Sequence, residues 1–346
     1  MRWVTYEEPL HTGRRDRRVG VVHGQEIYTL PPGDSLADLL AAGTGVLERA
    51  GQQALAKPDQ VVELDRVRLC APIPRPPALF DALCYLDHLR ACRVAQGQPE
   101  DLPEVWQQIP AVYQGNHRTV VGPYDDMPIF PGSRMFDFEL EVGIVIGRPG
   151  RDIDPERALS HIAGYTLLCD WSARDVQLRE MQLGIGVLKG KDGGTSLGPW
   201  LVTADEFDAT VPISAYVGDE LIGAGSVGDR KSGDWRFEDV ISHISRGSTL
   251  EAGDVIGSGT LPGGCLLEHM AAAGFRGWLK PGDVVRLSSP QLGEIRQTIR
   301  ASSDGAFPGS SAELPGNVRP GILTSAPSSP SGSGQSIAKE IGTVSC

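Results

Sequence analysis

The chain contains no apolar run long enough to cross a bilayer: charges, glycine or proline interrupt every hydrophobic stretch, and a spanning helix needs about 20 apolar residues. The opening Met1-Arg2-Trp3-Val4-Thr5-Tyr6-Glu7-Glu8 lacks the continuous apolar core of a secretory signal. Cysteine is sparse and scattered. The six residues, Cys70, Cys84, Cys92, Cys169, Cys265 and Cys346, include no C-x-x-C pair. Their spacing suggests neither a zinc site nor a disulfide framework, and reduced structural thiols in a cytoplasmic protein are the expectation. Positive charge is in deficit, with 32 Lys and Arg against 44 Asp and Glu and a net charge of −12. That balance argues against nucleic acid and against anionic membrane surfaces as partners. An acidic substrate stays admissible where a metal or a local basic group supplies the positive charge.

What is present is enough chain for a full core. The 346 residues are 40% hydrophobic, ordinary for a globular protein of one large domain or two smaller ones. Residues 1–70 read as a small leading module. It holds a hairpin turning at His23-Gly24, a helix from Ser35 to Leu40 with Ser35 as N-cap, a second helix from Gly45 to Lys57 and a strand from Val61 to Leu69. The proline-rich Ala71-Pro72-Ile73-Pro74-Arg75-Pro76-Pro77 marks a boundary. Residues 71–302 form the main body, with strands expected at 141–147, 164–169, 199–203, 211–216, 255–259, 283–288 and 293–300. Helices are expected at 79–94, 155–162 and 236–246. Strands outnumber helices without strict alternation, which disfavours a parallel βαβ fold and favours a mixed or antiparallel sandwich or barrel. Residues 303–346 are rich in Gly, Ser and Pro and are expected to be disordered.

Four constellations carry chemistry. In Phe136-Asp137-Phe138-Glu139-Leu140-Glu141-Val142, side chains alternate, so Glu139 and Glu141 share a face while Phe138, Leu140 and Val142 take the other. Like charges side by side repel, and a bound cation removes the difficulty. The strand ending in Asp170 adds a third carboxylate. Oxygen donors without His or Cys indicate a hard cation, Mg2+, Ca2+ or Mn2+. On pattern alone, a solvated acidic face explains the same residues. Second, Asp81 and His88 lie seven residues apart in the expected helix 79–94, Asp81 in its first turn and His88 two turns on, on the same side. His88 is then a general-base candidate or an ordinary histidine. Third, Leu188-Lys189-Gly190-Lys191-Asp192-Gly193-Gly194 places two lysines among glycines, suited to an anion or to a solvated loop. The G-x-S-x-G match at Gly194–Gly198 lacks the strand before and helix after that a serine elbow requires. Fourth, Gly257-Ser258-Gly259-Thr260 lets backbone approach a ligand, and Glu268 beyond it follows two leucines. Glu268 is either partly buried with a partner or a surface acid after a turn.

In this order the pieces resemble the fumarylacetoacetate hydrolase family. The resemblance rests on Glu139-Leu140-Glu141, the D-x-S-A-R-D-x-Q segment from Asp170 to Gln177, the Gly190-Lys191-Asp192-Gly193-Gly194-Thr195 loop, and Gly257–Thr260 followed by Glu268. It spans roughly residues 72–300 and implies a strand-dominated α+β fold, a mixed β-sandwich roll with a small N-terminal α/β module. It implies Asp81, Glu139, Glu141 and Asp170 as metal ligands, His88 as general base, Glu268 as its orienting partner and Lys191 as oxyanion contact. Tyr113, Gln177, Gly194 and Thr260 would contact substrate. The implied reaction is hydrolysis of a C–C bond in a β-diketone or acylpyruvate-like 2-oxo acid, with Mg2+ (or Ca2+ or Mn2+) as cofactor and a homodimer as the assembly. Decarboxylases and tautomerases or isomerases of 2-oxo acids share the scaffold, and a non-catalytic metal-binding module is a third reading. The chain departs from the founding hydrolase at Leu83, Met181 and Gly97, where that enzyme has two tyrosines and an arginine, and by an extra residue in the Lys191 loop. Arg90 and Arg93 are candidates for the missing positive charge.

Overall fold

The computed structural model describes residues 1–9 and 15–302. The leading segment forms β1 (Arg2–Pro9), β2 (Arg15–His23), β3 (Glu26–Thr29), α1 (Leu36–Ala41), α2 (Thr44–Ala56), β4 (Val61–Glu63) and β5 (Arg68–Leu69). The middle contributes β6 (Leu79–Leu83), α3 (Leu86–Ala95), β7 (Ala111–Gly115), β8 (Val120–Val121), β9 (Met127–Pro128), β10 (Phe136–Asp137), β11 (Leu140–Ile146) and β12 (Gly150–Arg151). There follow α4 (Pro155–Ala158), β13 (Ile162–Asp170), β14 (Ser172–Ala173) and α5 (Arg174–Met181). The remainder is β15 (Thr195–Thr203), β16 (Ile213–Val217), β17 (Glu220–Gly225), α6 (Phe237–Ser245), β18 (Thr249–Leu250), β19 (Val255–Gly257), β20 (Val284–Ser289) and β21 (Gly293–Arg300).

The large sheet runs β4-β3-β2-β1-β15-β13-β11-β19-β6-β7, with β5 on β1 and β8 on β15; a five-stranded sheet runs β17-β16-β20-β21-β9. Both are mixed: β6/β19, β8/β15 and β9/β21 are parallel, set among antiparallel neighbours. β11 and β13 are buried along their whole length, which is why both of their faces are largely apolar, with Glu141 and Asp170 as buried acids among them. Phe136, Phe138, Leu140, Val142 and Ile144 join Val285, Leu287 and Ile295 of the smaller sheet in one core. On the other face of the large sheet, Val145, Leu168 and Val255 pack with Leu36, Leu39, Leu40 and Leu47 of the leading helices. The fold is thus strand-dominated α+β. No helix among the described residues is long and apolar enough to cross a membrane.

Local chemistry sets several boundaries. Ser35 Oγ accepts from Asp38 N at 3.2 Å and Asp38 Oδ2 accepts from Ser35 N at 2.9 Å, a reciprocal cap that starts α1 where the sequence indicates. The expected strand from Val61 to Leu69 is broken by a 3-10 turn at Leu64–Arg66. The expected helix 79–94 is two elements. Residues 79–83 pair with β19 on one side and β7 on the other, and the helix begins only at Leu86. Asp81 therefore sits mid-strand, neither an N-cap nor on a helix face with His88. The buried pairing partners, absent from any local pattern, override the helical spacing. The acidic strand is also interrupted. Asp137 Oδ1 accepts from Phe138 N at 2.8 Å, Glu139 bridges to Cys265, and regular pairing resumes at Leu140. Helix α5, from Arg174 to Met181, falls where no helix is expected. The expectation of disorder for 303–346 lies outside the described residues.

Candidate active site

The sheet order β13-β11-β19-β6 brings the acidic residues together. Asp170 ends β13, Glu141 lies on β11 and Asp81 on β6. Between the last two runs β19, whose Gly257 stands opposite Asp81 on one side and Gly143 on the other. Having no side chain, Gly257 leaves the gap in which the carboxylates of Asp81 and Glu141 meet. A Cβ there would stand 2.5 Å from Asp81 Oδ1 and 2.7 Å from Glu141 Oε2. One oxygen from each of Asp81, Glu139, Glu141 and Asp170 lies within 4.8 Å of the others, and all four residues are buried. A solvated acidic face is therefore excluded for Glu139 and Glu141.

The charges are only partly compensated. Lys191 Nζ lies 2.6 Å from Glu139 Oε2 and 2.6 Å from Asp170 Oδ2, and donates to Ser172 Oγ at 2.8 Å. Tyr113, directly across from Asp81 in the β6/β7 register, donates to Asp170 Oδ2 at 2.6 Å. Gly259 N donates to Glu141 Oε2 at 3.0 Å. Asp81 Oδ1, Glu141 Oε1 and Asp170 Oδ1 are buried without a hydrogen-bond partner among the described residues. Burial, then the charge of Asp170, raises Asp81 well above the usual carboxylate range; burial, then Asp81, does the same for Glu141. Burial lifts Asp170 to about 6 against the pull of Lys191. At Glu139 burial is outweighed by Lys191 and Arg174, which hold it below the usual range. Three orphaned oxygens, one of them bordering the space that a Cβ at Gly257 would fill, together with oxygen-only donors, fit a hard divalent cation.

Beside the cradle lies a buried pair. His88 Nδ1, from α3, is 2.8 Å from Glu268 Oε1, and both side chains are nearly inaccessible. Glu268 is fixed in turn by Gly263 N, which donates to its Oε2 at 2.8 Å. Burial opposes a charged His88, but Glu268 and Cys265 outweigh it and push the histidine up to about 10. The pair thus holds a proton at neutral pH while its carboxylate orients the ring.

The structure joins these elements through two residues to which the sequence reading gave no role. Arg174 is fully buried; its Nε donates to Asp137 Oδ2 at 2.8 Å and its Nη1 lies 2.8 Å from Glu139 Oε1. Asp137 also accepts from Leu266 N at 2.8 Å and Leu267 N at 3.1 Å, which fastens the turn carrying Glu268 to the acidic strand. The signal was present in Asp137, at the head of the acidic strand, and in Arg174, inside the D-x-S-A-R-D-x-Q segment, but not its pairing. Of the expected substrate contacts, Tyr113 lines the cradle and Gln177 Oε1 accepts from Arg174 Nη1 at 3.0 Å. Gly194, at φ +154°, accepts from Trp171 N at 3.4 Å just before β15, and Thr260 is buried in the turn after β19. Lys191, read as either a solvated or an anion-binding residue, is buried among carboxylates.

Comparison with known proteins is concordant with this geometry. A family model described as fumarylacetoacetate (FAA) hydrolase, C-terminal, matches residues 78–300. The chain is 30% identical over 288 residues to the oxaloacetate tautomerase YisK of Bacillus subtilis (strain 168), covering 79% of this chain and 88% of that protein. Among solved structures, a fumarylacetoacetate hydrolase from psychrophilic Exiguobacterium antarcticum superposes with a TM-score of 0.64 at 29% identity, over 87% of this chain and 99% of that one. Maleylpyruvate hydrolase from Sphingobium sp. SYK-6, solved in complex with manganese (II) ion and pyruvate, shares the fold with a TM-score of 0.64 at 24% identity, over 88% of this chain and 100% of that one.

Proposed function

The chain belongs to the fumarylacetoacetate hydrolase family of enzymes, and from that premise we propose that it interconverts the enol and keto forms of a 2-oxo dicarboxylic acid such as oxaloacetate, using a divalent cation. The observation that carries this reading is the buried His88–Glu268 pair, which holds a proton beside a cradle of four carboxylates. The name of the B. subtilis relative supports the same substrate class.

Asp81, Glu139, Glu141 and Asp170 would hold the cation, which when bound would supply a Lewis acid that stabilises the negative charge of an enolate. His88 does the proton work. Its Nδ1 is held by Glu268, which leaves Nε2 as the ring atom that would exchange a proton with the substrate carbon. In the direction of ketonisation the protonated ring gives its proton to the carbon beside the enol, the enol oxygen releases its own to solvent, and solvent returns a proton to the ring. In the reverse direction His88 takes a proton from that carbon, and the oxygen gains one. No bond between heavy atoms changes. Glu268 stabilises the charged ring, and Lys191 and Arg174 keep Glu139 ionised.

One feature favours hydrolysis as a second reading. Arg174 Nη2 is a buried donor with no partner among the described residues, which suits a developing oxyanion. In that reaction a neutral His88 takes a proton from water, the hydroxide adds to a carbonyl, and the C–C bond breaks with its electron pair leaving as an enolate that is then protonated.

The test is to follow the ultraviolet absorbance of enol oxaloacetate with Mg2+ or Mn2+ present, and to identify the products of oxaloacetate and of acylpyruvates by mass. Accelerated enol decay without change of mass supports the tautomerase, provided chelator and His88→Ala both abolish it. Cleavage of an acylpyruvate establishes the hydrolase, and loss of CO2 a decarboxylase. Enol decay at the uncatalysed rate overturns the proposal.

A further inference from the structure

The scattered cysteines, which in sequence suggest no soft-metal site, converge in space. His88 and Cys92 lie one helical turn apart on α3, the i, i+4 spacing by which a helix presents two ligands on one face. Cys265 arrives from the loop after β19. Donor atoms of His88, Cys92 and Cys265 lie within 4.8 Å of one another, and all three residues are buried. Cys92 Sγ is 3.8 Å from either nitrogen of His88. A sulfur and a nitrogen on a tetrahedral zinc ion stand about 3.6 Å apart, given metal–sulfur bonds of about 2.3 Å and metal–nitrogen bonds of about 2.0–2.1 Å. The Cys92–His88 separation is thus within a few tenths of an ångström of a coordinating one, and Cys265 lies within 4.8 Å of both. Glu268 holds His88 Nδ1 at 2.8 Å, leaving Nε2 to coordinate, the carboxylate–histidine arrangement that orients zinc-binding imidazoles.

We propose that His88, Cys92 and Cys265 form a second cation site, selective for a thiophilic divalent ion such as Zn2+ or Cd2+, and that filling it withdraws His88 from proton transfer. Two sulfurs and a nitrogen favour a borderline or soft ion, whereas the four-carboxylate cradle favours a hard one, so donor chemistry sorts the ions between the two sites. On binding, each thiol and the Nε2 of the charged His88 ring give up a proton to solvent, and nothing is oxidised. The inhibitory consequence rests on the proposed role of His88; the binding does not.

The experiment uses the full chain carrying Cys346→Ser, kept reduced with a phosphine and saturated with Mg2+. It is titrated with Cd2+ while the ultraviolet thiolate-to-cadmium charge-transfer band is recorded. The expected result is one ion per chain with a clear band. Cys92→Ser and Cys265→Ser should each weaken binding by roughly ten-fold or more and remove about half of the band, and His88→Ala should weaken binding while keeping the band. Cys92→Ala repeats the test if the serine variant does not fold. No band in the parent, or a band of equal size and affinity in the folded Cys92 and Cys265 variants, overturns the site. In parallel, Cd2+ should suppress turnover in the parent, reversibly on chelation and Mg2+ replenishment, and spare Cys92→Ser. Equal suppression in both overturns the inhibitory role. If the chain shows no turnover, the proposed function has failed and the spectroscopic arm alone decides the site.

Discussion

Gly257 carries no side chain, and the cradle exists because of that: any Cβ between β11 and β6 would collide with the oxygens of Asp81 and Glu141. Gly257→Ala is expected to lower divalent-cation affinity at least ten-fold by calorimetric titration while the far-ultraviolet circular dichroism is kept; unchanged affinity would remove the cradle as the binding site. Lys191 is the complementary case, a buried ammonium shared by Glu139 and Asp170. Removing one partner of a buried ion pair costs about 3–5 kcal/mol, because the remaining charge stays buried. Lys191→Met should therefore melt well below the parent in chelator and recover part of the difference in saturating Mg2+ or Mn2+. Equal melting temperatures in chelator would show that the ammonium does not offset the carboxylates. At this scale the alternation that puts Glu139 and Glu141 on one face was legible from spacing alone. Their burial was not, since a strand pattern reports which residues share a face and not what covers it. Arg174 was illegible for a related reason: a charged residue reads as exposed until its partners, here Asp137 and Glu139, are seen beside it.

Among elements, the contact between α3 and the turn at Leu267–His269 carries the proton-holding pair. His88 is held at about 10 against its ordinary 6.5, so the folded state binds this proton more tightly than the unfolded chain does. The resulting stabilisation is complete below about pH 6.5 and is lost as the pH climbs through about 10. In chelator, the urea midpoint of the parent should fall between pH 7 and pH 10, and that of Glu268→Gln should fall by much less. Parallel pH profiles would mean that the pair contributes no pH-dependent stability. The helix bearing His88 was foreseen, but its first turn was misplaced. Residues 79–83 have helical spacing yet form a strand, because β19 and β7 supply hydrogen bonds on both edges. Short apolar runs carry little local preference, and long-range pairing decides them.

Over the whole molecule, the leading segment is not set apart from the large sheet: β1 pairs with β15, and α1 and α2 cover the face that Val145, Leu168 and Val255 present. We propose that residues 1–70 and 71–302 fold as one cooperative unit although they read as two modules. A variant lacking residues 1–70 would bare the edge of β15 and a buried apolar face, and is expected to be insoluble or to lose its cooperative melt. A soluble variant that melts where the parent does would establish two independent units. The sequence by itself determined the strand-dominated class and the family, and offered the carboxylates as a candidate cation set, because these depend on residue type, alternation and chain order. Only the tertiary structure decided that Asp81 lies on a strand, that Arg174 and Asp137 tie the cradle to the His88–Glu268 pair, and that Cys92 and Cys265 meet at His88. Those relations join residues up to 180 positions apart, as between His88 and Glu268. Local periodicity cannot encode such contacts, because they are set by which strands neighbour one another in the folded sheet.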